Sequence, residues 1–231
     1  MYILSTDTST RASGVALLHD GGVVDAVFEA SAAEVSRQLF SWVDLIFQRN
    51  DMSLSDCDVF AVASGPGSFT ALRVGLAAVK AWAEAYAKPI AAIGALEAIA
   101  TQAAPQSGFV AAILDARQGQ VFGALFEASK NGLLPSGDQV LAPVSAFLDQ
   151  ASRRVADSPV VIATPTVELI ERAVDDSPLR RSMVRGVSRE LAPWIGRLAY
   201  VKAREGKLVD AMTLDALYVR HSDAELYWKD S

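Results

Sequence analysis

The sequence predicts an α/β protein of two lobes, each a mixed β-sheet flanked by helices, with the second lobe the smaller and degenerate. Three observations lead there. Up to Ala103 the apolar pattern reads as three meandering strands followed by alternating helix and strand, the order of a mixed five-stranded sheet with helices on its faces. A breaker-rich stretch, Ala104–Gly108, then interrupts the chain, and strand-like and helix-like runs begin again after it. The chain has 231 residues, 51% of them hydrophobic, and a mean hydropathy of +0.24, enough for one large or two small cores. The expected lobes are residues 1–104 and 105–231.

Tyr2–Thr6 and Gly14–Leu18 are short apolar runs joined by the polar segment Asp7-Thr8-Ser9-Thr10-Arg11. His19-Asp20-Gly21-Gly22 reads as a hairpin turn and Val23–Phe28 as the third strand. Ala32–Arg49 reads as the first long helix. Val35, Leu39, Trp42, Val43 and Ile46 make a core stripe, and Phe40, Val43 and Phe47 a second stripe roughly 100° around it. Such a surplus fits a helix wedged between sheet and neighbour, or a helix that also meets a partner. Asn50–Asp58 is a polar loop in which Ser53 or Ser55 can cap a short turn. Lys88-Pro89 ends the second long helix, Ile90–Ile93 is a strand and Ala95–Ala103 a helix.

Between these elements lies the stretch that organises the first half, Val59–Tyr86. Val59–Ala63 is a buried strand, Ser64-Gly65-Pro66-Gly67-Ser68-Phe69-Thr70 a tight loop, and Ala71–Tyr86 a helix with Ser68 or Thr70 as its N-cap. A glycine loop that opens onto a helix N-terminus offers free N–H groups and the positive dipole end to an anion. The two glycines equally fit a loop that only turns the chain. The loop has neither the Gly-Lys-Ser/Thr of a Walker A sequence nor the Gly-x-Ser-x-Gly of a hydrolase elbow. In the helix, Arg73, Lys80 and Glu84 share one narrow polar stripe, so the helix is buried on more than one side. Ala71, Gly75, Ala78, Trp82 and Ala85 form a ridge of mostly small residues, over which another backbone can pass closely. Arg73 stands near the helix start, where the dipole disfavours a cation, and is expected either to have an anionic partner near a subunit boundary or to form an ordinary surface salt bridge.

After Gly108 the pattern resumes. Phe109–Asp115 and Val121–Phe126 read as strands around a turn, with a third near Gln139–Leu141. Pro143 opens a helix to about Ser152. Pro159–Ala163 is a strand, Val167–Val174 a helix, and Arg189–Glu205 a third helix with Pro193 in its first turn. Leu214–Arg220 is strand-like, and His221–Ser231 reads as a loose tail.

Composition narrows the function. Net charge is −6, from 21 basic and 27 acidic residues, which argues against an autonomous nucleic-acid binder. His19 and His221 are the only histidines and Cys57 the only cysteine, so no metal site is expected. No apolar run approaches the ~18 residues of a membrane span, and MYILSTDTS has no basic start, so no signal peptide is expected. With a single cysteine no internal disulfide can form, and a reducing, cytoplasmic compartment is expected.

An acidic residue at the end of strand one, followed by hydroxyls and a hairpin, is also how actin-like ATPases begin. There the carboxylate holds metal-bound water and the turn contacts phosphate. Asp7 fits that role, or that of a turn-forming carboxylate that accepts backbone N–H groups. The strand and helix order is the ribonuclease-H-like order of the actin, sugar-kinase and heat-shock chaperone superfamily.

The segment Ser64-Gly-Pro-Gly-Ser-Phe-Thr-Ala-Leu-Arg-Val-Gly-Leu-Ala resembles the signature of the bacterial tRNA threonylcarbamoyladenosine biosynthesis family TsaB, also called YeaZ-like. Three further segments fit: Ile3-Leu-Ser-Thr-Asp-Thr-Ser with Ser13-Gly-Val-Ala-Leu, Asp115-Ala-Arg-Gln-Gly-Gln-Val-Phe, and Leu217-Tyr-Val-Arg. Together they span nearly the whole chain. Ala71 stands where the family usually has glycine, Val35 where many members have histidine, and Ala216 where proline is common.

The resemblance implies a two-lobed actin-like fold without catalysis of its own. It implies a scaffold that binds the paralogous transferase TsaD and acts with the ATPase TsaE. Together they place threonylcarbamoyl on the adenosine beside the anticodon of tRNAs that read codons beginning with A. tRNA is then met only through the complex, and ATP or ADP is held, if at all, only there. The expected interface for the partner, or for a homodimer in its absence, is Phe40, Val43, Phe47, Ala71, Arg73, Gly75, Ala78 and Trp82. Asp7, Thr8, Ser9, Gly65, Gly67 and Ser68 are expected as a vestigial nucleotide-contact loop.

Two rivals stand beside this expectation. One is an active ATP-dependent kinase or ATPase of the same superfamily that uses Asp7 and Asp115. Its turns lack the paired glycines expected around a triphosphate. The other is a peptidase with Ser64 or Ser68 as nucleophile, for which no general base can be named beyond the two histidines.

Overall fold

The computed structural model describes residues 1–29, 35–130 and 132–215, apart from the side chains of Val35 and Ser36. These residues divide into two compact units. Among the described residues, the first holds Met1–Ala98 and residues 189–215, and the second holds Ile99–Ser188.

The first unit is built on a five-stranded sheet in the order β3-β2-β1-β4-β5. β1 (Tyr2–Asp7), β2 (Ser13–His19) and β3 (Gly22–Glu29) form the expected antiparallel meander, and β4 (Val59–Gly65) and β5 (Ile90–Gly94) add in parallel. Asp20 and Gly21 turn the second hairpin with φ of 49° and 81°, the left-handed pair that matches strand twist and that an Asp-Gly sequence tolerates. The central strands β1 and β4 are buried on both faces because helices cover both.

On one face lie α1 (Val35–Asn50) and α2 (Phe69–Tyr86). Leu39, Trp42, Val43, Ile46 and Phe47 of α1 pack with Leu76, Ala78, Val79, Trp82 and Ala83 of α2 over Leu4, Val15, Leu17, Phe60 and Val62 of the sheet. Each fully buried leucine, isoleucine or valine there contributes about 1.5–3 kcal/mol. α2 ends at Ala87 in the left-handed conformation, φ 50°, with the Lys88 amide donating to the Ala83 carbonyl at 3.0 Å, and Pro89 prevents continuation. The polar loop before β4 contains a single turn, Leu54–Asp56. There the Asp56 carboxylate accepts the Ser53 amide and hydroxyl, each at 2.8 Å.

The other face is covered by α6 (Ala192–Arg204), which sequence order alone assigned to the second lobe. The structure packs it against the first sheet through small residues. Gly196 lies so close to the fully buried Leu18 that a Cβ there would fall 2.1 Å from Leu18 Cδ1. The Ser5 hydroxyl, buried on β1, donates to the Ala192 carbonyl at 2.7 Å. Beyond the helix, Val209 and Ile90 exchange two backbone hydrogen bonds of 2.8 Å along the β5 edge. The helix is shorter than its expected range of Arg189–Glu205, and Pro193 lies within its opening turn.

The second unit repeats the plan. β6 (Gly108–Arg117) and β7 (Gln120–Ser129) form a long hairpin, and β10 (Val160–Thr164) and β11 (Met183–Gly186) add in parallel beside β6. The place of the third meander strand is shared by two short ones, β8 (Gly132–Pro135) and β9 (Val140–Pro143), which pair with successive parts of β7. β8 and β11 were not expected. Each is only four residues long and carries proline or glycine, which leaves too little alternation to read. α3 (Ala95–Thr101) precedes this sheet. α4 (Val144–Val155) and α5 (Val167–Asp175) close one face over Ile113, Leu125, Val160 and Ile162. Pro143 is the N-cap of α4, one position before its expected place inside the helix. The strand-like segment expected over Leu214–Arg220 and the tail that follows fall almost wholly outside the described residues.

The contact of α6 with the sheet gives a direct test. Gly196→Val places a branched side chain against Leu18 and is expected to lower the unfolding free energy by about 2–3 kcal/mol, read as a lowered thermal midpoint, with Arg197→Ala as an exposed control that leaves it nearly unchanged.

Candidate functional site

The site begins where β1 and β4 end side by side. After Asp7 the chain turns through Thr8, Ser9 and Thr10, and after Gly65 it turns through Pro66 and Gly67 into α2. The two turns are joined backbone to backbone: the Ser68 amide donates to the Ser9 carbonyl at 3.0 Å. Gly67 makes the approach possible, because a Cβ there would lie 2.4 Å from the Ser9 oxygen. Gly65 has a φ of 128°, which favours glycine. About two turns into the helix, a Cβ on Gly75 would meet Thr8 Oγ1 at 2.4 Å. The expected loop residues Asp7, Thr8, Ser9, Gly65, Gly67 and Ser68 are therefore brought together, and the chain itself fills the space between the two turns. Ser68 holds the N-cap position of α2, but its side chain makes no capping bond and is exposed.

Asp7 is fully buried. Its Oδ1 accepts the Ser9 amide at 2.8 Å and the Ser9 hydroxyl at 2.6 Å, and its Oδ2 accepts the Thr10 hydroxyl at 3.2 Å. Burial pushes its carboxyl above the ordinary value of 3.8, and the bonds from Ser9 and Thr10 oppose that shift. The hydroxyls of Thr6 and Thr8 are buried without a hydrogen-bond partner. The second unit uses the same local device. Asp115, at the corresponding end of β6, accepts the Arg117 amide at 2.7 Å, but it is exposed. The hairpin there turns through Gln118 and Gly119 with φ of 53° and 74°.

Among the peptidase candidates, Ser64 is buried and Ser68 lies at the head of α2. His19 stacks on Tyr2 at 4.4 Å between ring centroids and lies 3.5 Å from Asp20. His221 lies outside the described residues. Cys57 is buried, and burial pushes its thiol up to about 12, so it is a packing group.

The two long helices were expected to carry a partner surface. Val43, Phe47, Gly75, Ala78 and Trp82 are buried within this chain. The small-residue ridge at Gly75 serves the close approach of Thr8. Phe47 joins the core face of α1, whose buried arc from Trp42 to Phe47 spans about 140° at 100° per residue. Phe40 is different: it is 52% exposed and stands edge-on to Trp82 at 6.0 Å between centroids. Ala71 is half-buried. Arg73 is exposed, with its guanidinium 3.9 Å from the centroid of the Phe69 ring. Because α2 starts at Phe69, Arg73 opens the second turn, where the dipole weighs less on a cation than it does at the helix start. The outward face of α2 is formed by Thr70, Arg73, Ala77, Ala81 and Glu84, all exposed. Ala77 and Ala81 were not singled out from sequence, although their spacing from Arg73, i+4 and i+8, places them on its side.

Two mixed sheets in matching strand order, each with a turn-forming aspartate at the end of its first strand, define an actin-like α/β protein. A model of the family described as "TsaD: tRNA N6-adenosine threonylcarbamoyltransferase" matches residues 15–163. The chain is 29% identical over 235 residues to the tRNA threonylcarbamoyladenosine biosynthesis protein TsaB of Bacillus subtilis, covering 100% of this chain and 99% of that protein. It is 35% identical over 135 residues to TsaB of Escherichia coli, 58% of each chain. The solved structure of YeaZ from Pseudomonas aeruginosa superposes with a TM-score of 0.79 at 25% identity, covering 94% of this chain and 99% of that one. The chain belongs to the TsaB/YeaZ family of tRNA threonylcarbamoyladenosine biosynthesis proteins. No described helix is long and apolar enough to cross a membrane.

Two outcomes follow from the turn. An acid with a raised folded-state pKa holds its proton more tightly in the folded protein. Its contribution is therefore present at low pH and lost as pH rises from about 3.8 through the raised value. Thermal melts of wild type and Asp7→Asn at about pH 7 and about pH 4.5 are expected to show wild type gaining on the variant at the lower pH. Thr8→Val removes an unpaired buried hydroxyl at nearly constant shape. It is expected to leave stability unchanged or raised by up to about 1 kcal/mol, measured by denaturant unfolding.

Proposed function

We propose that this chain is a non-catalytic accessory subunit of a tRNA threonylcarbamoyl transferase complex, required for N6-threonylcarbamoyladenosine on tRNAs that read codons beginning with A. In that role it binds and activates a paralogous TsaD-type transferase, acts together with the ATPase TsaE, and meets tRNA through the complex. It holds no nucleotide stably by itself. The observation that carries this proposal is the state of Asp7. The carboxylate that an actin-like ATPase offers to metal-bound water is here fully buried, with both oxygens engaged inside its own turn. The Ser9 carbonyl occupies the glycine loop in front of α2. Family membership supplies the pathway, and the match to a transferase family model supports a paralogous partner.

The partner surface in this proposal is the outer layer of α1 and α2: Phe40, with Thr70, Arg73, Ala77, Ala81 and Glu84, resting on Val43, Phe47, Gly75, Ala78 and Trp82. A paralogue presents an equivalent pair of helices, so the two pairs meet as a four-helix bundle about a pseudo-twofold axis. Without the partner, the same surface closes on a second copy, since an isologous contact needs only self-complementarity.

The test uses Ala77→Glu and Ala81→Glu, because charges at the buried Gly75 or Ala78 would disturb the fold instead. Both variants are expected to fold, to bind the transferase at least about tenfold more weakly, and to lose support of modification when mixed with the transferase, the ATPase, threonylcarbamoyl-adenylate synthase and tRNA. Steady ATP turnover by the chain alone, abolished in Asp7→Ala, would replace this proposal with that of an ATP-dependent kinase or ATPase.

A further inference from the structure

Among the described residues β11 is an edge strand, paired along one side with β10. The segment that carries it, Ser177–Ser188, has three arginines and no acidic residue between Asp175-Asp176 on one side and Arg189-Glu190 on the other, in a chain of net charge −6. Val184 packs against the core of the second unit, so Met183 and Arg185 emerge on the other side of the strand. Both are exposed, Met183 at 59%. Arg180 and Arg181, also exposed, lie on the turn between α5 and β11.

That turn is held in place. The buried Ser177 hydroxyl donates to the Val174 carbonyl at 2.8 Å and accepts the Leu179 amide at 3.1 Å. Leu179 is itself buried in the core, and the Arg180 and Ser182 amides donate to the Ser177 and Leu179 carbonyls at 3.2 and 2.8 Å. Among the described residues no carboxylate pairs with Arg180, Arg181 or Arg185. Arg185 has Met183 Sδ at 3.8 Å from its Nη2.

Three guanidinium groups on an ordered turn and strand, none paired with a carboxylate among the described residues, form a cluster of cations on an acidic protein. Planar guanidinium groups match phosphate oxygens bidentately, and an ordered platform reduces the entropy lost on binding. Arg180 and Arg181 are presented by the turn and Arg185 by the strand that follows it, so the guanidinium groups are offered from two neighbouring elements rather than from one point. Met183 is the exposed large apolar side chain of this segment, less than the apolar centre that a protein interface needs. A polyanion needs none.

We propose that Arg180, Arg181 and Arg185 contact the phosphate backbone of the tRNA that the complex modifies. This rests on the role in tRNA modification proposed above. The patch adds affinity and fixes register once the complex has engaged tRNA, without reading base sequence.

The experiment compares the assembled complex containing wild type with one containing the triple variant Arg180→Gln, Arg181→Gln, Arg185→Gln. Labelled tRNA is titrated across a range of salt concentrations, and pull-down of the transferase and the thermal midpoint are measured alongside. The expected result is a folded variant that still assembles, binds several tRNAs about tenfold more weakly at low salt, and shows a log–log salt slope shallower by about two. Unchanged affinity and slope overturn the proposal while leaving the accessory role intact. Loss of transferase binding with an unchanged slope overturns it in favour of an acidic protein surface as the occupant. A wild-type complex that makes no modified nucleoside overturns both proposals.

Discussion

The first unit depends on one close approach, the Ser9 carbonyl against the glycine loop and Thr8 against Gly75. A peptide group from the β1–β2 turn sits where side chains would otherwise hold α2 away, and the Ser68 amide satisfies the Ser9 oxygen at 3.0 Å. Absence of Cβ atoms at Gly67 and Gly75 is the condition for it. The same approach has two effects: it seals the turn around a carboxylate with no exposed surface, and it seats α2 low enough that Leu72, Leu76 and Val79 reach the core while Thr70, Arg73, Ala77 and Ala81 face out. A buried carboxyl group is tolerated because three hydrogen-bond donors from its own turn surround it.

Much of this was legible in the sequence. The meander, the glycine loop, the two long helices and the restart after Gly108 follow from local signals: alternation, helical spacing and breakers. The family was legible from the glycine-loop signature. What could not be read was which neighbour each surplus surface meets. A small residue on a helix states that something comes close but not what, so Gly75 and Ala78 pointed equally to a partner and to Thr8 and the core. The division after residue 104 missed α6 because its contacts are non-local: Ser5 and Ala192 are 187 positions apart. Periodicity carries no information at that separation. The arginine-bearing strand β11 escaped notice for the opposite reason, being too short to show a period at all.

The duplicated plan of the two units shows how one local device takes different electrostatic roles. Asp7 ends β1 and Asp115 lies two residues before the end of β6, and each accepts the amide two residues ahead. Burial then separates them. Asp7 is enclosed, its carboxyl displaced upward by loss of water, whereas Asp115 remains at the surface beside a turn whose conformation is set by Gln118 and Gly119. The bond that shapes the turn is the same, and the surroundings decide what the charge costs.

The return of α6 to the first sheet has a consequence for the order of assembly on the ribosome. Chains usually complete their N-terminal domain first as they emerge. Here the first unit lacks the helix that covers Leu18 and receives the Ser5 hydroxyl until residues 192–204 are made. Every strand and helix of the second unit is synthesised in that interval. The second unit is therefore the one able to fold first, while one face of the earlier sheet waits, apolar and uncovered, for a segment still being translated. Loops closed over so long a separation are slow to form, so this face is where the nascent chain is most open to aggregation and to chaperone capture.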